Sequence, residues 1–177
     1  ALQREYPNVE LTLLEGSNDA IQKALLSGGI DLAIAGFPHP LPGVVLEDYY
    51  LEHIVLCLSD GLLAQCGIDL DTHRGEIAAG NLSALCDCPF VLGSAEAIGG
   101  RIGRGLLRSS GVSPVSKATS ENVETLLALC EQGVGACFCP ENLLHTALSP
   151  VQLAHLHILP LCPEASNPIC FGYLSRS

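Results

Sequence analysis

The chain has 177 residues, 48% of them apolar, and sets eight Lys or Arg against nineteen Asp or Glu for a net charge of -11. That is enough apolar material to core one large domain or two small lobes. The charge argues against a nucleic-acid footprint in these residues, because duplex DNA is a dense polyanion that needs clustered Lys and Arg, and Arg101, Arg104 and Arg108 are the nearest approach to a cluster.

In chain order, Leu2 to Tyr6 reads as the last turns of a helix that Pro7 ends. Val9 to Leu14 is β-prone and reads as a strand. Gly16 lets the chain turn, and Ser17 or Asn18 can cap a helix with Ala20, Ile21, Ala24 and Leu25 on one face. Gly28 and Gly29 stop that helix. Asp31 to Ala35 lacks alternation, as expected of a parallel strand buried on both faces. Val44 to Leu46 and His53 to Ser59 read as strands, and 60–82 as short helical pieces at best. Pro89 to Leu92 is a strand, followed by a helix over 98–110 whose glycines at 99, 100, 103 and 105 imply a close neighbour. A short strand falls within 112–119. Val123, Leu126, Leu127 and Cys130 give 121–132 the spacing of an amphipathic helix. Ala136 to Cys139 is a buried strand, a helix runs from Pro140 to about Leu148, and 155–161 and 169–174 are the last strands. Alternating helix and strand predict an α/β fold.

Ser17 to Pro40 and Ser120 to Asn142 repeat one plan of capped helix, Gly turn and buried strand. Two such copies imply two similar lobes with a ligand cleft, although any α/β protein repeats such units.

Nine cysteines lie at 57, 66, 86, 88, 130, 137, 139, 162 and 170, several inside apolar runs. They read as buried free thiols in a reducing cytoplasm rather than as metal ligands, despite C-x-C pairs at 86/88 and 137/139. No metal and no cofactor are expected. His155 and His157 share a strand face and read as surface residues. The run Gly93-Ser94-Ala95 is not a G-x-S-x-G elbow, and no nucleophile–base pair is visible, so an enzyme is not expected. No run of 18 apolar residues exists, so no membrane span is expected. The chain contains no Met, which points to a piece of a longer protein or to methionine replaced by an analogue.

Taken in order, Tyr6-Pro7-Asn8-Val9-Glu10-Leu11, Glu15-Gly16-Ser17, Gly29 to Ile34, Pro89 to Leu92, the helix ending at Gly111, Gly133-Val134-Gly135 and Pro140-Glu141 resemble the effector-binding domain of LysR-type transcriptional regulators. The resemblance covers nearly the whole chain and rests on order and spacing. It implies two Rossmann-like lobes around a central cleft, a type 2 periplasmic-binding-protein-like fold. Lobe I would be 1–53 with 166–177, and lobe II 54–165. The family's N-terminal winged helix-turn-helix is absent, as are its first effector-domain strand and last helix. The function implied is sensing of a small-molecule effector, an organic acid by the chemistry of the loops. The rival is a solute-binding protein of a transport system with the same architecture.

Three loops are expected to meet the effector: Ser17 and Asn18 at a helix start, Gly36 and Phe37 after a buried strand, and Ser94, Ala95 and Glu96 before the glycine-rich helix. Pro140 is a weaker candidate. Ser17 also caps its helix, Glu96 would repel an anion, and Thr119 and Ser120 read as caps. The resemblance further implies a homodimer, and a tetramer in the full-length protein. Its interface would hold Leu2, Val9, Leu11 and Leu13 against Ile102, Gly103 and Leu106. DNA would be reached only through the missing N-terminal domain.

The charge balance yields a test. In a gel-shift assay at low micromolar protein and physiological salt, generic duplex should stay free. Retarded bands that disappear on adding salt would contradict the charge argument.

Overall fold

Several helices start where a small polar side chain takes up a free backbone N–H. The computed structural model describes residues 2–175, and of Leu2 the backbone alone. Ala1, Arg176 and Ser177 lie outside the described residues. α1 (Leu2–Glu5) is a single turn ahead of Pro7. α2 (Asn18–Leu26) is capped by Ser17, whose Oγ accepts from the Ala20 N–H at 3.3 Å. Ile21 and Leu25 form its buried face. β1 (Ala33–Gly36) follows, and then β2, one continuous strand from Val44 to Ser59. α3 (Asp60–Cys66) is capped by Ser59 and α4 (Leu70–Ala78) by Asp69. β3 (Pro89–Gly93), α5 (Ile98–Ser109), β4 (Val115–Ser120), α6 (Val123–Glu131) and β5 (Cys137–Pro140) come next. A 3-10 turn over Glu141–Leu143, α7 (Leu144–Ala147), α8 (Pro150–Leu153), β6 (Leu156–Pro160) and β7 (Ser166–Leu174) complete the chain.

The chain divides into two compact units, the first Ala1–Asp48 with Cys170–Ser177 and the second Tyr49–Ile169. β2 and β7 each run through both. In unit 1 the core is Ile21, Leu25, Ala33 and Ala35, with Ile30, Phe37 and Val44 packed on it. The Phe37 ring lies over Gly172, where a Cβ would come within 2.6 Å of it.

Unit 2 is built on a mixed sheet. β3 and β4 are parallel, with Pro89 opposite Val115 and Gly93 opposite Ser120. A parallel bridge between Phe90 and Ala136 joins β3 to the start of β5. β2 runs antiparallel to β5 on one side, with Cys57 opposite Cys137, and antiparallel to β6 on the other. Its two faces carry separate cores. Ile54, Leu56, Leu58, Phe90, Leu92 and Phe138 face α3, α4 and α5, while Val55, Cys57, Val91, Cys137 and Cys139 face α6.

Several expectations need correction. Residues 9–14 form no strand, and Leu11 and Leu13 are 52% and 87% exposed. A strand exists only where a neighbour takes up its backbone groups, and among the described residues none lies beside this segment. β1 is not buried on both faces, since Ile34 is 56% exposed between buried Ala33 and Ala35. Residues 60–82 hold two capped helices rather than fragments.

The close neighbour of the glycine-rich helix is the chain itself. A Cβ on Gly99 would lie 2.9 Å from the Phe138 carbonyl oxygen, and one on Gly103 only 2.3 Å from the Phe138 ring. Gly103 is therefore buried inside unit 2, and within the chain its neighbour is Phe138. Ile102 and Leu106 are half-buried and pack partly on the core of the same unit.

Two glycines on one helix should respond with opposite signs. Gly105 has open space where its Cβ would go. Gly105→Ala should stabilise by up to about 1 kcal/mol through helix propensity. Gly103→Ala gains the same propensity but strikes Phe138, and should cost roughly 1–3 kcal/mol by overpacking. Urea midpoints of the two variants check this, and equal shifts would rule out the Gly103–Phe138 contact.

Candidate functional site

The carboxyl ends of three parallel strands of unit 2 fall on one edge. β3 ends at Gly93, β4 at Ser120 and β5 at Pro140. A crevice at the carboxyl edge is where open α/β sheets bind small ligands. Here the edge holds a depression with about 310 Å³ of empty space, part of it open to solvent. Gly93, Ser120 and Pro140 line it, together with Ala97, Gly99 and Gly100 at the start of α5. Ile98, Val123, Leu126 and Phe138 supply apolar walls, and among the described residues Glu121 is the one charged member of the lining.

Chain geometry explains why backbone dominates one wall. A Cβ on Gly100 would lie 2.1 Å from the Ser94 carbonyl oxygen and 2.7 Å from that of Gly93. Only glycine lets the first turn of α5 sit on the β3–α5 loop. α5 starts at Ala97 without a side-chain cap. The N–H groups of its first turn therefore remain for another acceptor, at the positive end of the helix dipole. By contrast, α6 is capped by Asn122, whose Oδ1 accepts from the Thr125 N–H at 3.0 Å.

The expected site residues divide between the units. Ser17, Asn18, Gly36 and Phe37 sit in unit 1, where Ser17 caps α2 and the Gly36 carbonyl accepts from Gln22 Nε2 at 3.4 Å. Ser94, Ala95, Glu96 and Pro140 sit in unit 2. Ser94 is half-buried and its Oγ accepts from the Ala97 N–H at 3.2 Å, so it shapes the loop leading into α5. Ala95 and Glu96 are exposed on that loop, and Pro140 is buried and lines the depression. Sequence reasoning passed over Ser120, Glu121 and the first turn of α5. Ser120 is not the cap of α6; its Oγ accepts from the Asn122 N–H at 3.1 Å while it lines the depression. The internal repeat held a signal for it, because Ser120 occupies the place of Ser17 in the second copy.

Four of the thiols cluster in the core. Cys57, Cys130, Cys137 and Cys139 share one buried layer, with the Cys57 and Cys139 sulphurs 3.7 Å apart. Hydrogen bonds with Cys130, Cys139 and Cys57, and burial, push the Cys137 thiol up. Cys139 is drawn down to about 5, first by its hydrogen bond with Cys137 and then by that with Cys57. Its side chain is 0% exposed, so access rather than ionisation controls its reactivity. Among the described residues, no group of three or more His, Cys, Asp or Glu is arranged to hold a metal ion. His157 and His155 meet Asp60 at 2.6 and 3.5 Å, which holds the Asp60 carboxyl below its usual range.

An apolar hollow at the carboxyl edge of a parallel sheet marks the class of α/β proteins that bind small ligands. A family model described as the LysR substrate binding domain matches residues 1–177, and the chain belongs to that family. It is 26% identical over 149 residues to the HTH-type transcriptional regulator IlvY of Escherichia coli, covering 84% of this chain and 47% of that protein. The IlvY activator of Salmonella typhimurium is likewise 26% identical, with 84% and 48% covered. The chain thus spans about half the length of these curated relatives. The BenM effector binding domain with its effector benzoate has a TM-score of 0.71 at 19% identity, covering 99% of this chain and 74% of that one. A reduced form of OxyR from N. meningitidis has a TM-score of 0.66 at 19% identity, covering 98% and 75%. The fold is accordingly the type 2 periplasmic-binding-protein-like fold of LysR effector-binding domains.

Burial orders the cysteines for reaction. Cys86 is exposed and Cys66 and Cys162 half-buried, whereas Cys57, Cys88, Cys130, Cys137 and Cys139 are closed to solvent. Mass-spectrometric mapping after brief native iodoacetamide treatment should find label on Cys86 first. The four clustered thiols should react only in denaturant. Early label on Cys139 would contradict the burial described here.

Proposed function

We propose that this chain is the effector-sensing part of a bacterial transcription regulator. Its effector is a small organic acid with a compact apolar group, held at the carboxyl edge of unit 2. The observation that carries this reading is the apolar depression where Gly93, Ser120 and Pro140 end three parallel strands. Family membership and the transcription regulators named among the relatives support the regulatory role, and benzoate in BenM supports an acid with an apolar body. The carboxylate would meet the uncapped first turn of α5, where partial positive charge and free N–H groups favour anions. The Ser120 hydroxyl, which accepts from Asn122, keeps its own proton to donate. Ile98, Val123, Leu126 and Phe138 would cover the hydrocarbon part. Ligand would act only through its differential affinity for two arrangements of the protein.

The rest of the regulator supplies DNA contact in the cytoplasm, since these residues are acidic. No helix among the described residues is long and apolar enough to cross a membrane. Self-association as a dimer, and as a tetramer of the full-length protein, completes the proposal. Exposed Val9, Leu11 and Leu13 are apolar enough to take part. No observation favours the solute-binding alternative.

The proposal is tested by thermal shift with carboxylic acids of rising hydrocarbon size, each beside its uncharged amide. An acid at about 100 times its dissociation constant should add roughly 2.7 kcal/mol of stability. Ser120→Ala should weaken it by roughly 0.5–1.5 kcal/mol, and Ser94→Ala by less. Glu121→Gln should tighten it by up to about 1 kcal/mol, since it removes a negative charge beside the anion. Amides that stabilise as well as their acids would defeat the carboxylate assignment.

A further inference from the structure

α5 carries three arginines on successive turns, and they are not equivalent. Arg101 and Arg108 are exposed, while Arg104 is half-buried. The Arg104 Nη1 donates to the Gly93 carbonyl at 2.6 Å and reaches the Gly100 carbonyl at 3.3 Å. Gly93 and Gly100 are both buried, and both line the depression. Arg104 itself does not. Its guanidinium therefore stands behind the wall rather than in it.

We infer that Arg104 is a positioning residue for this site, clamping the last carbonyl of β3 to the first turn of α5 so that the wall keeps its shape. The reason lies in what that carbonyl would otherwise face. The place where a Gly100 Cβ would stand is 2.7 Å from the Gly93 oxygen and 2.1 Å from the Ser94 oxygen. Two carbonyl oxygens are thus pressed against the helix start with no room for a side chain between. A buried carbonyl needs a donor. A charged donor makes about twice as strong a bond as a neutral one. Arg104 spans eleven residues of sequence to supply it. Without it, the loop of Ser94, Ala95 and Glu96 is held by the Ser94–Ala97 turn bond and by packing. The N–H groups of α5 would then lose the fixed angle at which they face the depression. This inference rests on the reading of the depression as the effector site.

The decisive measurement is amide hydrogen exchange on ligand-free protein, comparing wild type, Arg104→Met, Arg104→Lys and Arg101→Met. Arg104→Met should speed exchange across 94–101 by about tenfold, as losing one charge-assisted hydrogen bond implies. Lys should restore part of the protection, and peptides from 54–59 and 124–131 should not change. Arg101→Met removes the same charge from the same helix and should leave 94–101 as in wild type. Unchanged exchange at 94–101 in Arg104→Met would overturn the inference. So would an equal rise throughout unit 2, which would make Arg104 a general structural support. With the carboxylic acid that stabilises wild type most, Arg104→Met should bind about fivefold or more weakly, and Arg101→Met as wild type. Equal losses in both variants would mean bulk charge and would overturn positioning. If no acid stabilises wild type, the site reading fails while the exchange data still decide what Arg104 does to the loop.

Discussion

Backbone contact between α5 and the strand ends is the constraint on which unit 2 depends. Gly99, Gly100 and Gly103 bring the helix onto the Phe138 carbonyl, the Ser94 carbonyl and the Phe138 ring, at distances no side chain would permit. Glycines in a helix cost about 1 kcal/mol each relative to Ala. That cost is offset by burying Phe138 beneath the helix, parallel to Phe90 with ring centroids 6.0 Å apart. The same approach places an uncapped helix start at the carboxyl edge of β3, β4 and β5. One packing choice thus provides both the core and the hollow.

Much of this was legible in the sequence because local signals agreed with tertiary ones. The spacing of Leu126, Leu127 and Cys130 marked α6, and all three are buried. The glycines of α5 announced a close neighbour, but a count of glycines does not say which neighbour. The neighbour that fills the space at Gly103, Phe138, lies 35 positions away in β5. Val9 to Leu14 shows the opposite failure. Its residues prefer a strand, yet the backbone pairing that makes one is not a local property.

The candidate site is legible only in part, for a similar reason. Loops at the ends of predicted strands can be named, as Ser94 and Pro140 were. Which strands lie side by side cannot be read from one loop. The register that sets Gly93 opposite Ser120 is what brings Ser120 and Glu121 into the lining. The repeat aligns Ser120 with Ser17, which is the signal for it in the sequence. Ser120 reads as a cap from the sequence, whereas the cap of α6 is Asn122, two residues on.

Electrostatics decide what such a hollow can hold. The chain carries -11, Glu121 is the one charged residue of the lining among the described residues, Glu96 lies on the loop before α5 and Glu141 starts the 3-10 turn after β5. Among the described residues, no Lys or Arg lines the depression. A pair of unit charges at 4 Å interacts by about 1 kcal/mol in water and about 4 kcal/mol near a protein surface. Exposed carboxylates such as Glu96 and Glu141 fall toward the lower figure. The first turn of α5 stands against them with roughly half a positive charge and fixed N–H donors. Its advantage is position, because donors held at a set angle cost little to organise when an anion arrives. Among the helix starts at this edge, α6 spends its end on Asn122 and Ser94 takes up the Ala97 N–H, so the turn beginning at Ile98 is left open. If the proposed effector is an anion, its selection in so acidic a protein would depend on how rigidly that one turn is held against Gly93.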